Sequence, residues 1–263
     1  MHDAPPITIV PCLSDNYSYV VRCAATGATL LVDPSEPEPV LAAIEAMGGR
    51  LDAVLCTHHH PDHVGGLDAL RERFSSLRVY AHHEDESRID GVTHALGHDD
   101  GFYVGSMAVR ALHVPAHTSG ALSYVLDERA VFTGDTLFSA GCGRLFEGTP
   151  AMMNHALNDV LGALADTVLV YPGHEYAEKN LRFALEVEPG SDAIRARQAR
   201  VASLREKNAP AVPSTLGEER ETNPFLRVKT PTVQRFARAK KADVAPEDPA
   251  SVLAVVRAAR DRF

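Results

Sequence analysis

Between Ile7 and about Pro172 the chain alternates short apolar, β-branched runs with turn residues, and helical periods are few. Ile7 to Leu13, Tyr17 to Arg22 and Ala28 to Val32 are each bounded by Pro, Asn, Asp or Gly, which predicts three consecutive strands in a meander. A helix follows at Glu36-Pro37-Glu38-Pro39. Proline and acidic residues suit its first turn, Val40, Leu41, Ile44 and Met47 recur at helical spacing, and Gly48-Gly49 ends it. Four later runs share one design, each an apolar strand feeding a polar residue able to bind metal. Leu51 to Cys56 leads into Thr57-His58, Val109 to Val114 towards His117, Val131-Phe132 towards Asp135, and Val168 to Tyr171 towards His174. In layered α/β proteins ligand groups converge at strand ends, so four such runs predict one shared site.

After His174 the pattern changes. Glu175 to Val187 and Asp192 to Lys207 read as helices, strands disappear, and a Pro- and Thr-rich loop runs through Asn223-Pro224-Phe225 to a last helix near Pro249 to Phe263. The expected organisation is an α/β domain over 1–173 and a smaller helical domain over 174–263.

Composition narrows the class. The chain has 263 residues, 45% hydrophobic and 23% charged, an ordinary globular profile long enough for one core plus an attachment. No apolar run approaches the ~20 residues of a membrane span, and Met1 to Pro6 shows no basic region followed by an apolar stretch, so neither membrane anchoring nor export is expected. With Lys+Arg at 26 against Asp+Glu at 35 the net charge is -9, which disfavours nucleic-acid binding and a processing-nuclease role. Cys12, Cys23, Cys56 and Cys142 form no CxxC pair, as expected for a reducing, cytoplasmic location and against a thiolate metal cage.

Histidine is the unusual entry: there are 13, and four fall between His58 and His63. Thr57-His58-His59-His60-Pro61-Asp62-His63 fits HxHxDH. At a strand end His58 and His60 share one side while His59 points away. Pro61 turns the chain, placing Asp62 and His63 at the opening of a helix that continues through Leu67 and Leu70. Imidazole with carboxylate and no Cys suits Zn, Fe(II) or Mn(II) in an open site rather than a closed structural one.

These residues resemble the metallo-β-lactamase superfamily, with its αββα sandwich. Val114-Pro115-Ala116-His117-Thr118-Ser119-Gly120, Phe132-Thr133-Gly134-Asp135-Thr136-Leu137-Phe138, Tyr171-Pro172-Gly173-His174-Glu175-Tyr176 and Thr222-Asn223-Pro224-Phe225-Leu226-Arg227 are similar to the glyoxalase II, or hydroxyacylglutathione hydrolase, family. That resemblance covers almost the whole chain. It implies one divalent ion on His58, His60 and His117, a second on Asp62, His63 and His174, and Asp135 bridging them, with zinc expected and iron or manganese as alternatives. Two dications against two carboxylates and a shared hydroxide leave such a centre net positive in an acidic protein.

The implied reaction is attack of an activated water on a thioester carbonyl, the thiolate leaving without a general acid because thiols have a pKa near ~8.5. Asp62 and Asp135 would act at the centre, Asp62 also orienting the nucleophile. The implied partner is a small-molecule glutathione thioester, S-D-lactoylglutathione, bound by Arg144, Phe146, Tyr176, Arg257 and Arg260, in a protein expected to be monomeric. Arg144 and Arg260 stand where some members have lysine, and Phe146 where some have tyrosine. Helix spacing alone leaves Arg257 and Arg260 open to a second reading as a solvated face, and Tyr176 to one as packing. Cys142 between glycines reads as a tight loop rather than a nucleophile, and Arg195 to Arg205 as solvated helix surface. Two other activities compete with the hydrolase: an iron-dependent persulfide dioxygenase of the same fold, and a non-catalytic metal-binding module.

Overall fold

The computed structural model describes residues 6–263, so Met1 to Pro5, read above for a leader, lie outside the described residues. Residues 6–113 with 118–134 form one compact unit, and 114–117 with 135–263 a second.

The first unit opens with β1 (Ile7–Cys12), β2 (Asn16–Arg22) and β3 (Thr29–Val32), then α1 (Pro37–Ala46), β4 (Ala53–Leu55), α2 (Pro61–Val64), α3 (Leu67–Arg73), β5 (Arg78–His82) and β6 (His94–Leu96). The strands form a sheet in sequence order, with β1-β2-β3 antiparallel and β3-β4-β5-β6 parallel. Parallel strands are covered on both faces, which is why β3 and β4 are buried at every residue. On one face Val40 and Ile44 of α1 and Leu67 and Leu70 of α3 pack over Val20, Leu31, Val54 and Val79. The predicted α1 face is the observed one, and burying each of its large aliphatic chains contributes roughly 1.5–3 kcal/mol.

The remaining strands, β7 (Gly101–Val104), β8 (Met107–His113), β9 (Leu122–Leu126) and β10 (Ala130–Gly134), form an antiparallel meander. It packs on the other face of the first sheet: the Tyr19 and Phe132 rings lie 5.3 Å apart, and the Tyr124 hydroxyl donates to the Cys56 carbonyl at 2.9 Å. At the end of β10, Gly134 has φ +46°, and a Cβ there would lie 2.4 Å from Thr57 Oγ1, so only glycine lets the chain leave the strand at this point.

One helix differs from expectation. His63 through Leu70 is not continuous, because α2 stops at Val64 and the Gly66 N–H donates to the Pro34 carbonyl at 2.7 Å instead of extending the helix. Gly65 allows the close approach, since a Cβ there would lie 2.9 Å from both Pro61 O and Ser35 O.

The second unit holds the hairpin of β11 (Leu137–Phe138) and β12 (Gly141–Cys142), then α4 (Pro150–His155), β13 (Leu169–Pro172), α5 (Ala177–Val187), α6 (Asp192–Arg205), β14 (Ser214–Thr215), α7 (Leu216–Thr222), α8 (Pro231–Lys240) and α9 (Pro249–Asp261). Three expectations are corrected here. Strands do not disappear after His174, because β14 pairs antiparallel with β13. The Pro- and Thr-rich stretch is not one loop but carries α7 and α8: Thr215 caps α7 by accepting from the Glu218 N–H at 3.1 Å, and Pro231 sits in the first turn of α8. The core of this helical part gathers Leu181, Ala184, Ile194 and Val201 with Ala140 of the hairpin, and Phe183 meets Phe225, Phe236 and Phe263. Arg195 to Arg205 is not uniformly solvated, since Arg197 is buried in an ion pair with Glu219. Among the described residues no helix is long and apolar enough to cross a membrane.

Candidate functional site

In the first unit His58, His60, Asp62 and His63 follow the end of β4. Their support is Asp33, the residue after β3. Its Oδ1 accepts from the Thr57 N–H at 2.7 Å, and its Oδ2 accepts from the Thr57 hydroxyl at 2.7 Å and from His63 Nδ1 at 2.8 Å. Thr57, having given its proton to Asp33, accepts from His58 Nδ1 at 3.0 Å. The Nδ1 protons of His58 and His63 are thus committed, which leaves each Nε2 with its lone pair, the tautomer a metal ligand needs.

His58 Nε2 lies 3.0 Å from His60 Nδ1, and His63 Nε2 lies 3.5 Å from Asp62 Oδ2. Two ring nitrogens at that separation require a shared proton or cation. Asn16 fixes Asp62 by donating to its Oδ2 at 3.0 Å and its carbonyl at 3.1 Å. His59 turns away as the strand alternation predicts, to within 3.2 Å of Asp85.

In the second unit Asp135 lies between two imidazoles. Its Oδ2 is 3.4 Å from His117 Nε2 and its Oδ1 3.4 Å from His174 Nε2, so each oxygen faces a different ring, as a bridging carboxylate would. His117 Nδ1 donates to the Arg144 carbonyl at 3.0 Å, again freeing Nε2. His174 is held by its neighbours, stacked on Tyr176 with centroids 4.8 Å apart and edge-on to Phe138. Ala116, just before His117, has φ 148°, a strained value for a residue with a Cβ and of the kind found at functional sites. In both units the donors are imidazole and carboxylate with second-sphere partners fixing their tautomers, so their chemistry fits borderline divalent cations.

All five expected substrate-binding residues also belong to the second unit. Arg144 is exposed, 3.7 Å from Asp261, and Phe146 is exposed with its ring 5.2 Å from that of His117. Arg260 bonds to Asn180 Oδ1 through Nε and Nη2 at 3.1 and 3.0 Å. Burial first, and the neighbouring Arg257 second, hold its pKa below the usual arginine value. Arg257 is buried and donates to the Cys142 carbonyl at 2.7 Å and to Asp261 at 2.9 Å, so it does not belong to a solvated face. Burial pushes the Cys142 thiol up to about 11, consistent with a packed residue of the short strand β12 and not a nucleophile.

A further trio, His82, His83 and Glu84, offers donor atoms within 4.8 Å of one another. There the Glu84 N–H donates to His82 Nδ1 at 3.3 Å, which occupies that nitrogen's lone pair and disfavours a cation on it. Sequence reading passed over Asp33, Asn16 and Glu219. Asp33 had a usable signal: like the expected ligands, it is a polar residue directly after an apolar strand.

The profile of the Metallo-beta-lactamase superfamily matches residues 13–174, and that of the Hydroxyacylglutathione hydrolase C-terminus matches 175–263. A hydroxyacylglutathione hydrolase of Ruegeria pomeroyi is 43% identical over 258 residues, 98% of each chain. One of Rhodopseudomonas palustris is 46% identical over 86% of this chain and 89% of its own, and a cytoplasmic one of Arabidopsis thaliana is 44% identical over the same shares. Among solved structures, ETHE1 from Myxococcus xanthus superposes with a TM-score of 0.66 at 26% identity, covering 97% of this chain and 98% of its own. The BLEG-1 B3 metallo-beta-lactamase gives 0.64 at 23% identity over 84% and 99%, a likeness of fold. The α/β fold is that of the metallo-β-lactamases with a helical region after it, and at this identity over nearly its full length the chain belongs to the hydroxyacylglutathione hydrolase family.

Proposed function

We propose that the protein hydrolyses S-(2-hydroxyacyl)glutathione, with S-D-lactoylglutathione as the representative substrate, to glutathione and a 2-hydroxy acid. One observation carries this reading: relatives of that name, 43% identical across 98% of the chain, share both the ligand-bearing part and the helical part. The match over 175–263 favours it over a persulfide dioxygenase of the same fold.

In this reading, which follows the family resemblance, His58, His60 and His117 would hold one divalent ion, Asp62, His63 and His174 a second, and Asp135 would serve both. Zinc suits the donors best, and iron or manganese are compatible. Such a pair of ions supplies an activated water near neutral pH and polarises a carbonyl oxygen. The chain's own groups do the rest. Asp62, fixed by the Asn16 side chain that donates to its Oδ2, would orient the attacking water. The departing glutathione thiolate needs no proton from the protein, so no side chain is assigned to supply one.

Glutathione presents two carboxylates, which call for arginine. Arg144 and Arg260 are proposed for that role, with Phe146 and Tyr176 flanking the thioester. Arg260 is suited to it because the negative charge of an incoming carboxylate offsets the burial and the Arg257 repulsion that hold its pKa down. Arg257, already committed to Cys142 O and Asp261, steadies this surface. Residues 174–263 would then be the substrate-binding domain of a catalytic domain spanning 1–173. Four free cysteines support a reducing, cytoplasmic location.

The test is a comparison of kcat/KM for S-D-lactoylglutathione with that for a thioester lacking glutathione. Two charge-assisted contacts at ~1.5–3 kcal/mol each predict a preference of about a hundredfold or more. Equal values for the two, or oxygen uptake with a persulfide in place of thioester cleavage, would contradict the proposal.

A further inference from the structure

The hairpin of β11 and β12, between Asp135 and Arg144, is buried from Leu137 to Gly143 and turns at Ala140 with φ 53°. A two-residue pairing leaves most of its turn without strand partners, and buried backbone groups must be satisfied elsewhere. Here helical side chains do it. The Ala140 N–H donates to Glu219 Oε2 at 2.8 Å, and Asn180 donates to the Ser139 carbonyl at 3.0 Å. Asn223 donates to Phe138 O at 3.3 Å and Gly141 O at 3.0 Å, and Arg257 to Cys142 O at 2.7 Å.

Glu219 is the centre of this harness. It is fully buried, and its two oxygens accept from Arg197, Ser214, Asn223 and the Ala140 N–H, so its acceptor capacity is filled. Arg197, equally buried, also donates to Thr222 at 2.6 Å.

The opposite side of the same hairpin touches all three metal-ligand candidates of this unit. Asp135 precedes it, and Gly143 returns so close that a Cβ there would lie 1.9 Å from the Asp135 carbonyl oxygen and 3.0 Å from His117 Nδ1. The next residue, Arg144, offers the carbonyl that fixes the His117 tautomer. Phe138 sets its ring edge-on to His174, with centroids 5.9 Å apart. The hairpin is therefore one short rigid piece with ligand contacts on one side and the Glu219 harness on the other.

We propose that Glu219, together with Arg197, is a positioning residue for the metal-ligand set: by holding Ala140 and Asn223 it fixes the hairpin that orients Asp135, His117 and His174. The inference rests on the dinuclear reading above. Removing a group that hydrogen-bonds a metal ligand typically weakens metal binding by about 10–100-fold, and Glu219, one step further out, is expected at the lower end of that range. Glu219→Gln is a sharp probe because its NH2 group faces donors whichever way the amide turns.

The experiment measures Zn2+ affinity by competition with a chelator, with folding followed by circular dichroism. Glu188→Gln serves as the control: Glu188 is buried in an ion pair with Arg227 in the same unit, and no described bond links that pair to the hairpin. The expectation is that folded Glu219→Gln binds Zn2+ at least about tenfold more weakly, while Glu188→Gln keeps its affinity even if both melt earlier. Wild-type affinity in Glu219→Gln, or an equal loss in Glu188→Gln, overturns the proposal. Should Glu219→Gln not fold, Arg197→Lys keeps the charge, shortens the fork and decides the matter by the same two outcomes. If the wild-type protein itself took up no Zn2+, the dinuclear reading would fail rather than the role of Glu219.

Discussion

Asp33 makes three hydrogen bonds to groups that shape the HxHxDH turn, and its own φ of 51° shows the backbone adapting to put it there. An asparagine at this position would turn an NH2 towards the Thr57 or His63 donors and release one imidazole from its tautomer. Asp33→Asn should therefore lower Zn2+ affinity by about 10–100-fold, read by chelator competition, and an unchanged affinity would show that His63 needs no such partner. The proposed ligands are legible as candidates because HxHxDH and strand-end polar residues are local patterns. Asn16 and Glu219 are not, since their meaning lies in partners 46 and 79 residues away, and Asp33, although it too follows an apolar strand, shows its role only through His63, 30 residues on. Arg257 shows the same limit: helix spacing left it between a solvated and a bound role, and its burial against Cys142 is a tertiary fact.

At the scale of elements, the end of β5 carries a pH-dependent feature of the first unit. His82 is buried with its ring stacked on His113, centroids 4.0 Å apart, and burial, then His113 and His83, bring its pKa down to about 4. The unfolded chain takes up a proton there near pH ~6.5 while the folded one does not until about 4, so stability contributed by neutral His82 is full above the first value and lost as pH falls towards the second. His82→Phe keeps a stacking ring without the titration. Its Tm relative to wild type should rise steadily from pH 7 to pH 4, and a constant difference would contradict the assignment. Most elements were legible in sequence: the first three strands, α1, α5, α6 and α9 fall where periodicity and turn residues put them, to within a few residues. The misses are physical. Gly65 and Gly66 break a helix whose apolar spacing runs on, β14 is two residues and has no period to detect, and Pro231 starts α8 rather than marking a loop.

For the whole molecule, a net charge of -9 sits beside a reaction on an anionic substrate, and the two are compatible only if positive charge is concentrated locally. In the proposed reading Arg144 and Arg260 would supply part of it, and two bound dications would supply more. The proposal to be tested is that His58, His60, Asp62, His63, His117, Asp135 and His174 would serve a single two-ion centre that cleaves thioesters. Its most direct test is a Zn2+ titration of metal-stripped protein, following S-D-lactoylglutathione cleavage at each addition. The account predicts negligible turnover without metal and activity that levels off at two equivalents. Full activity in the stripped protein, or a plateau at one equivalent, would contradict it.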